Sequence, residues 1–349
     1  MEGIHTNVWY VDENVDSKKD YPQIVEAAEY LKQDEVIAFP TETVYGLGGN
    51  ALSDKAVAKI FEAKGRPADN PLIVHVASRP HVEKLVTNIP KQADQLMNAF
   101  WPGPLTIVLP GGKSVATNVT AGLDTVAVRM PDHPVAIALL KAANLPLAAP
   151  SANLSGKPSP TTAKHVIHDL DGRIAGVVDG GSTGVGLEST VVDCSGDVLT
   201  ILRPGGVTKE QLEEVVGEVK IDPALSDDGH QPKSPGVKYK HYAPTAPVTL
   251  VDGSYSFIQQ LVDKRRAEGL KIGVLATEES KELFKADVVI PCGSKHDLIT
   301  VANRLYDVLR KFDESNVDEI YSEMFTHAGV GAAVMNRLTK AANNRVIKE

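Results

Sequence analysis

At 349 residues, with 42% hydrophobic and 23% charged side chains, the chain has an ordinary globular make-up and enough length for two cores. Its two cysteines, Cys194 and Cys292, cannot build a disulfide framework or a four-ligand zinc site, and no apolar run approaches the ~20 residues of a membrane span. A formal net charge of −9, without a basic stripe, speaks against a grip on nucleic acid and suits a small anionic ligand held in a cleft. The polar, acidic stretch Met1–Asp20 does not resemble a signal peptide, so a soluble, cytoplasmic protein is expected.

In chain order, the spacing of apolar residues predicts helices at Tyr21–Gln33, Ser53–Lys64 and Thr161–Asp171. Between and after them, β-branched runs predict strands at Val36–Phe39, Leu72–Val76, Leu105–Leu109, Thr125–Arg129, Leu147–Ala149, Gly176–Val178, Ser189–Asp193 and Leu199–Leu202. Strands this numerous, without a helix between each pair, predict a mixed sheet. From about Gly217 to Pro247 the pattern breaks, and Ile221–Lys233 reads as a linker. Beyond it come strand Val248–Val251, helix Ser254–Ala267, strand Ile272–Ala276, helix Glu279–Phe284, strand Val288–Pro291, helix His296–Phe312, strand Val317–Tyr321 and helix Gly331–Ala342. That alternation implies a small parallel sheet covered by helices. The resulting domains are 1–216, a linker over 217–247, and 248–349.

Three apparent motifs fail on their own terms. Gly112-Lys113-Ser114 would need a glycine at 107 to end a P-loop, and the residue is Ile107. Gly180-Gly181-Ser182-Thr183-Gly184 has the nucleophile-elbow spacing but precedes a strand, where that motif needs a helix. His165 and His168 share a helix without a third metal ligand nearby.

A stronger constellation begins at Phe39-Pro40-Thr41-Glu42-Thr43-Val44-Tyr45-Gly46-Leu47-Gly48, where hydroxyls and glycines follow a buried strand. Lys64-Gly65-Arg66-Pro67 then ends a helix, and taken alone it is accounted for by capping: Gly65 as a left-handed cap, Lys64 favoured in the last turn. Asn70-Pro71-Leu72-Ile73-Val74-His75 runs directly into a strand. On Thr125–Arg129, alternation puts Thr125, Ala127 and Arg129 on one face, and an arginine there is costly to bury unless an anion pairs with it. Ala149-Pro150-Ser151-Ala152-Asn153 offers small side chains and neutral hydrogen-bonding groups, with Ser159 shortly after. Glu188-Ser189-Thr190 and Leu202-Arg203-Pro204-Gly205 bracket the last two strands. The linker ends in Ser234-Pro235-Gly236-Val237-Lys238-Tyr239-Lys240-His241-Tyr242-Ala243-Pro244; its tyrosines either tack it to a domain or serve a ligand.

Taken in order, PTETVYGLG, KGRP, NPLIVH, WPGPLT, TVAVR, APSAN, EST, LRPG and SPGVKYKHYAP resemble the YrdC-type L-threonylcarbamoyladenylate synthases, in particular the longer two-domain members. The resemblance implies an α/β fold: an N-terminal YrdC-like domain with a twisted mixed sheet and a concave site, plus a small C-terminal Rossmann-like parallel α/β domain. It implies a nucleotidyltransferase that converts L-threonine, bicarbonate and ATP, with Mg2+ accompanying the ATP and no organic cofactor, into L-threonylcarbamoyl-AMP and pyrophosphate. A separate transferase complex would then modify tRNA with the product, and tight direct tRNA binding is not expected. Carried over residue by residue, the catalytic tetrad is Lys64, Arg66, Ser151 and Asn153. ATP is expected at Arg66, Asn70, Thr125, Ser151, Ser159, Arg203 and Tyr242, and threonine at Thr43, His75, Arg129, Ala149 and Ser189, with no metal ligands from the protein. The linker is expected to close over the site. The rival from another class is a non-catalytic double-stranded-RNA or tRNA-binding module.

Overall fold

The structure, a computed structural model, describes residues 4–12, 14–16, 19–225 and 241–349. Ser234 to Lys240, the first part of the linker motif, lie outside the described residues. The chain forms two compact units. The second gathers Gly156–Ser159, Val185–Leu187 and the C-terminal segment through Glu349, and the first takes the rest of the described chain.

The first unit is built on eleven strands: β1 Asn7–Tyr10, β2 Ile37–Phe39, β3 Gly46–Asn50, β4 Ile73–His75, β5 Leu105–Pro110, β6 Thr125–Arg129, β7 Leu147–Ala148, β8 Gly176–Asp179, β9 Thr190–Asp193, β10 Thr200–Arg203 and β11 Lys220–Ile221. They form one sheet in the order β1-β8-β2-β3-β7-β4-β6-β5-β9-β10-β11. The sheet contains both parallel pairs (β4 with β6, β5 with β9) and antiparallel ones (β2 with β3, β5 with β6), so it is mixed as the sequence implied. Its helices are α1 Pro22–Lys32, α2 Asp54–Lys64, α3 Arg79–Glu83, α4 Lys91–Phe100, α5 Thr117–Thr120, α6 Pro134–Ala143, α7 Ala163–Leu170 and α8 Lys209–Val216.

Alternation along the central strands sorts their side chains to two faces. Val74, Ile107, Val128 and Val192 join the main core on one face. Ile73, Val108, Ala127, Val191 and Leu202 make a smaller apolar floor on the other, and His75, Thr106 and Arg129 extend that same face by two-residue steps. The sequence predicts no strand between Phe39 and the helix at Ser53, but the glycines that follow Tyr45 form β3, a central strand. A side chain at Gly48 would come within 2.6 Å of the Phe39 ring, so close strand packing requires glycine there.

In the second unit, β12 Val248–Asp252, β13 Ile272–Ala276, β14 Val288–Pro291, β15 Glu319–Glu323 and β16 Val346–Lys348 pair in parallel in the order β14-β13-β15-β12-β16. The helices are α9 Tyr255–Ala267, α10 Leu298–Glu314 and α11 Gly331–Ala341. The helix expected at Glu279–Phe284 is instead a single 3-10 turn at Lys281–Leu283. The Ser280 hydroxyl there is engaged by Thr277 and Glu323, which competes with helix propagation. Within this unit Arg310 Nη2 donates to the Pro158 carbonyl at 2.6 Å, and the Ala243 N–H donates to the Gly156 carbonyl at 3.0 Å.

Candidate active site

Helix α2 starts on a Ser53 side chain that accepts from the Ala56 N–H and stops at Gly65 with φ 60°. The Arg66 N–H bonds to the Phe61 carbonyl and the Gly65 N–H to the Glu62 carbonyl, the paired bonds of a glycine-terminated helix. The capping account of Lys64-Gly65-Arg66 therefore holds, but it is incomplete. Lys64 is 3% exposed, and its Nζ donates to the carbonyls of Ser151 at 2.5 Å and Asn153 at 2.8 Å. The Ser155 N–H returns a bond to the Lys64 carbonyl, and the Leu154 N–H bonds Asp169 on α7. The loop of small residues after β7 is thus held by α2 on one side and α7 on the other. Burial, then the charge of Arg66, pushes the Lys64 ammonium down to about 7, while Asp169 and Glu188 pull in the opposite direction. A lysine poised at that value exchanges its proton readily when an anion arrives.

Arg129 ends β6 beside His75, its register partner on β4. It is 4% exposed, and three contacts fix its guanidinium: Nε donates to the Gly103 carbonyl at 3.3 Å, Nη1 donates to Thr43 Oγ1 at 3.0 Å, and Nη2 lies 2.6 Å from Glu42 Oε1. The anion that the sequence demanded beside this arginine is Glu42, from the same segment as Thr43. Thr41 donates its hydroxyl to the Val44 carbonyl at 2.7 Å, so at the 2.9 Å contact between the two threonines Thr43 is the donor. Thr43 consequently presents only acceptor capacity to Arg129. Burial and the Arg129 charge push the His75 imidazole down to about 3, leaving it neutral across the physiological range.

Ser189 shares a 2.7 Å hydroxyl contact with Thr106, and its carbonyl accepts from Arg203 Nε at 3.1 Å and Nη2 at 3.0 Å. Gly205 packs so close that a side chain there would lie 2.3 Å from the Thr190 nitrogen, which keeps Arg203 and Ser189 together. Ala149 contributes through its backbone: its N–H donates to the Ile73 carbonyl at 2.9 Å.

The structure thus draws Thr43, His75 and Arg129 into one corner, Lys64 with the Ser151–Asn153 loop and Arg66 into a second cluster, and Ser189 with Arg203 into a third. Thr125 lies four residues along β6 from Arg129, about 13 Å at strand spacing. Asn70 is wholly buried, and among the described residues neither atom of its amide has a hydrogen-bond partner. Ser159 and Tyr242 belong to the second unit, where Tyr242 has φ 61° and its ring lies 5.3 Å from that of Tyr306 and 5.7 Å from the Arg337 guanidinium. His165 accepts from the Thr161 N–H at 3.2 Å and is half-buried, while His168 is exposed. Gly180–Gly184 is followed by no helix before β9. Sequence reasoning missed Glu42, Thr106 and Asp169. Only Glu42 left a signal, as the carboxylate inside a hydroxyl-rich run.

Two family models match the chain: one described as telomere recombination (Sua5, YciO and YrdC) over residues 29–205, and one described as threonylcarbamoyl-AMP synthase, C-terminal domain, over residues 207–343. A threonylcarbamoyl-AMP synthase of Bacillus subtilis (strain 168) is 56% identical over 344 residues, covering 98% of this chain and 99% of the relative. One from Pyrococcus abyssi (strain GE5 / Orsay) is 48% identical over 327 residues, covering 92% and 94%. The crystal structure of P. abyssi Sua5 complexed with L-threonine matches with a TM-score of 0.93 and 46% identity, covering 99% of this chain and 100% of that one.

Proposed function

The chain belongs to the Sua5/YciO/YrdC family in its long two-domain form and is an enzyme of the nucleotidyltransferase kind, and from that premise we propose that it makes L-threonylcarbamoyl-AMP from L-threonine, bicarbonate and Mg-ATP, releasing pyrophosphate. The product would feed a transferase that installs threonylcarbamoyl on tRNA adenosine. The observation that carries this reading is a division of charge within the first unit, between strands β4 and β6 on one side and the end of α2 with β10 on the other. A buried arginine with a neutral histidine beside it suits an amino acid's carboxylate and hydroxyl. A separate Lys64–Arg66 cluster and Arg203 suit a triphosphate.

In this scheme the neutral threonine amine attacks the bicarbonate carbon, giving a carbamate and water, and the carbamate oxygen then attacks the α-phosphorus in line, with pyrophosphate leaving. Every reactant is anionic at that point, so positioning and charge neutralisation dominate over covalent catalysis. Lys64 and Arg66 offset the triphosphate, Asn70 supplies an amide with both ends available, and Arg129 fixes the amino acid's carboxylate. Ser159 and Tyr242 are proposed as further ATP contacts.

The test is pyrophosphate release by the purified protein with Mg-ATP, bicarbonate and each amino acid in turn. Threonine-dependent release is expected, and its absence overturns the proposal. A salt-steep shift of tRNA mobility without any pyrophosphate release would instead favour the RNA-binding reading.

A further inference from the structure

The Glu42–Arg129 pair is close without being hydrogen-bonded. Glu42 Oε1 lies 2.6 Å from Arg129 Nη2, an ion-pair contact poorly aligned for a hydrogen bond, and among the described residues neither buried Glu42 oxygen accepts a hydrogen bond and Nη2 donates none. A carboxylate in that condition keeps its Coulomb partner and still lacks donors for its lone pairs. The neighbouring groups do not supply them. Thr43 spends its hydroxyl proton on Thr41, and Gly103 offers only a carbonyl.

Resting on the threonine reading above, we infer that Glu42 receives the substrate's α-ammonium while Arg129 holds its carboxylate, so that the two side chains form a zwitterion site. The dimensions agree. In an α-amino acid the nitrogen and the nearer carboxylate oxygen are about 2.7 Å apart, close to the 2.6 Å between Glu42 Oε1 and Arg129 Nη2, the two atoms they would meet. The charges agree as well. A buried Glu–Arg pair is neutral, and a zwitterion keeps the corner neutral, whereas an anion without the ammonium would leave one buried negative charge uncompensated. Glu42 then selects α-amino acids over α-hydroxy acids by its negative charge, which Arg129, Thr43 and neutral His75 do not supply.

The test is titration calorimetry of L-threonine and (2S,3R)-2,3-dihydroxybutanoate, which carries a hydroxyl in place of the ammonium. The unsubstituted protein is expected to prefer threonine by at least about tenfold, the worth of one charge-assisted hydrogen bond in a buried site. Glu42→Gln should lower that ratio about ten- to a hundredfold, weakening threonine while leaving or improving the hydroxy acid; Glu42→Asp should retain the preference. A ratio unchanged in Glu42→Gln, or threonine tightened together with the hydroxy acid, overturns the inference. If Glu42→Gln does not fold, the unsubstituted protein still decides: no preference between the ligands overturns it. Failure of the unsubstituted protein to bind or use threonine would instead overturn the functional reading itself.

Discussion

In the first unit, Glu42 and Asn70 bury polar atoms that no neighbour among the described residues hydrogen-bonds, although Glu42 has a countercharge in Arg129. In the second unit the buried Glu323 carboxylate accepts from the Thr277 N–H at 3.0 Å and from the Ser280 hydroxyl. Glu42 follows β2 of the first sheet and Glu323 ends β15 of the second, yet among the described residues only Glu323 is hydrogen-bonded by the chain. Burial pushes the Glu323 carboxyl up, and those two hydrogen bonds hold it back. Buried polar atoms are normally paired, so an unpaired set at one place marks either a cost that nothing offsets or a cost that a ligand offsets. The difference separates a binding corner from an internal brace.

The largest effect should come from splitting the charged pair. Arg129→Ala leaves Glu42 buried without its cation, and a loss of about 3–5 kcal/mol is expected in urea denaturation. Replacing both partners, as Glu42→Met with Arg129→Met, should recover most of that stability while threonine-dependent pyrophosphate release stays lost. If the double variant is as unstable as Arg129→Ala, the pair is a structural brace like Glu323, and the contrast between the units collapses.

Single polar groups should show the same contrast at smaller scale. Asn70→Leu removes an amide whose two ends are unsatisfied in a wholly buried position, so stability should rise by about 1 kcal/mol while ATP affinity falls. Ser280→Ala should do the reverse, costing about 1–3 kcal/mol with KM for threonine and ATP unchanged. Thermal melts with and without ATP check both. A destabilised Asn70→Leu would mean that the amide contributes to the fold and not to a ligand.

Much of this architecture was legible because the pattern carried it. β-branched runs gave β4, β5, β6 and β9, and an apolar stripe gave α10. What escaped did so for physical reasons. Helix α6 is apolar nearly all round, with Val135, Ala136, Ala138, Leu139 and Leu140 buried, so it shows no stripe. Strand β3 is Gly46-Leu47-Gly48-Gly49-Asn50, whose composition argues for a turn until the close approach of Phe39 is known. In the site, the face shared by Thr125, Ala127 and Arg129 was readable, and so was the need for an anion. Which carboxylate met that need was not, because Glu42 and Arg129 come together only through the strand order β2-β3-β7-β4-β6. Lys64 illustrates a different limit: its capping role is local and visible, whereas its grip on the Ser151 and Asn153 carbonyls depends on β7 lying between β3 and β4.

The last expected effect is an uptake of up to about one proton, and it bears on whether the Lys64 cluster sides with the binding corner or with the brace. Burial and Arg66 place the Lys64 ammonium at about 7, against an ordinary value of 10.5. Near pH 8 the free protein therefore holds Lys64 mostly neutral. A triphosphate beside it favours the charged form, so ATP binding should take up protons at pH 8 and cease to do so below about pH 6, where Lys64 is already charged. Calorimetry in buffers of different ionisation enthalpy reads this directly, and Lys64→Met should abolish the buffer dependence. The same shift has a stability counterpart with a defined sign. Between about 7 and 10.5 the unfolded chain binds a proton that the folded chain does not, so stability rises with pH across that window, and Lys64→Met should remove the rise. Identical binding heats in every buffer at pH 8 would show that Lys64 does not respond to ATP. Its two carbonyl bonds would then be its whole role, and the cluster would belong with Glu323 as part of the frame.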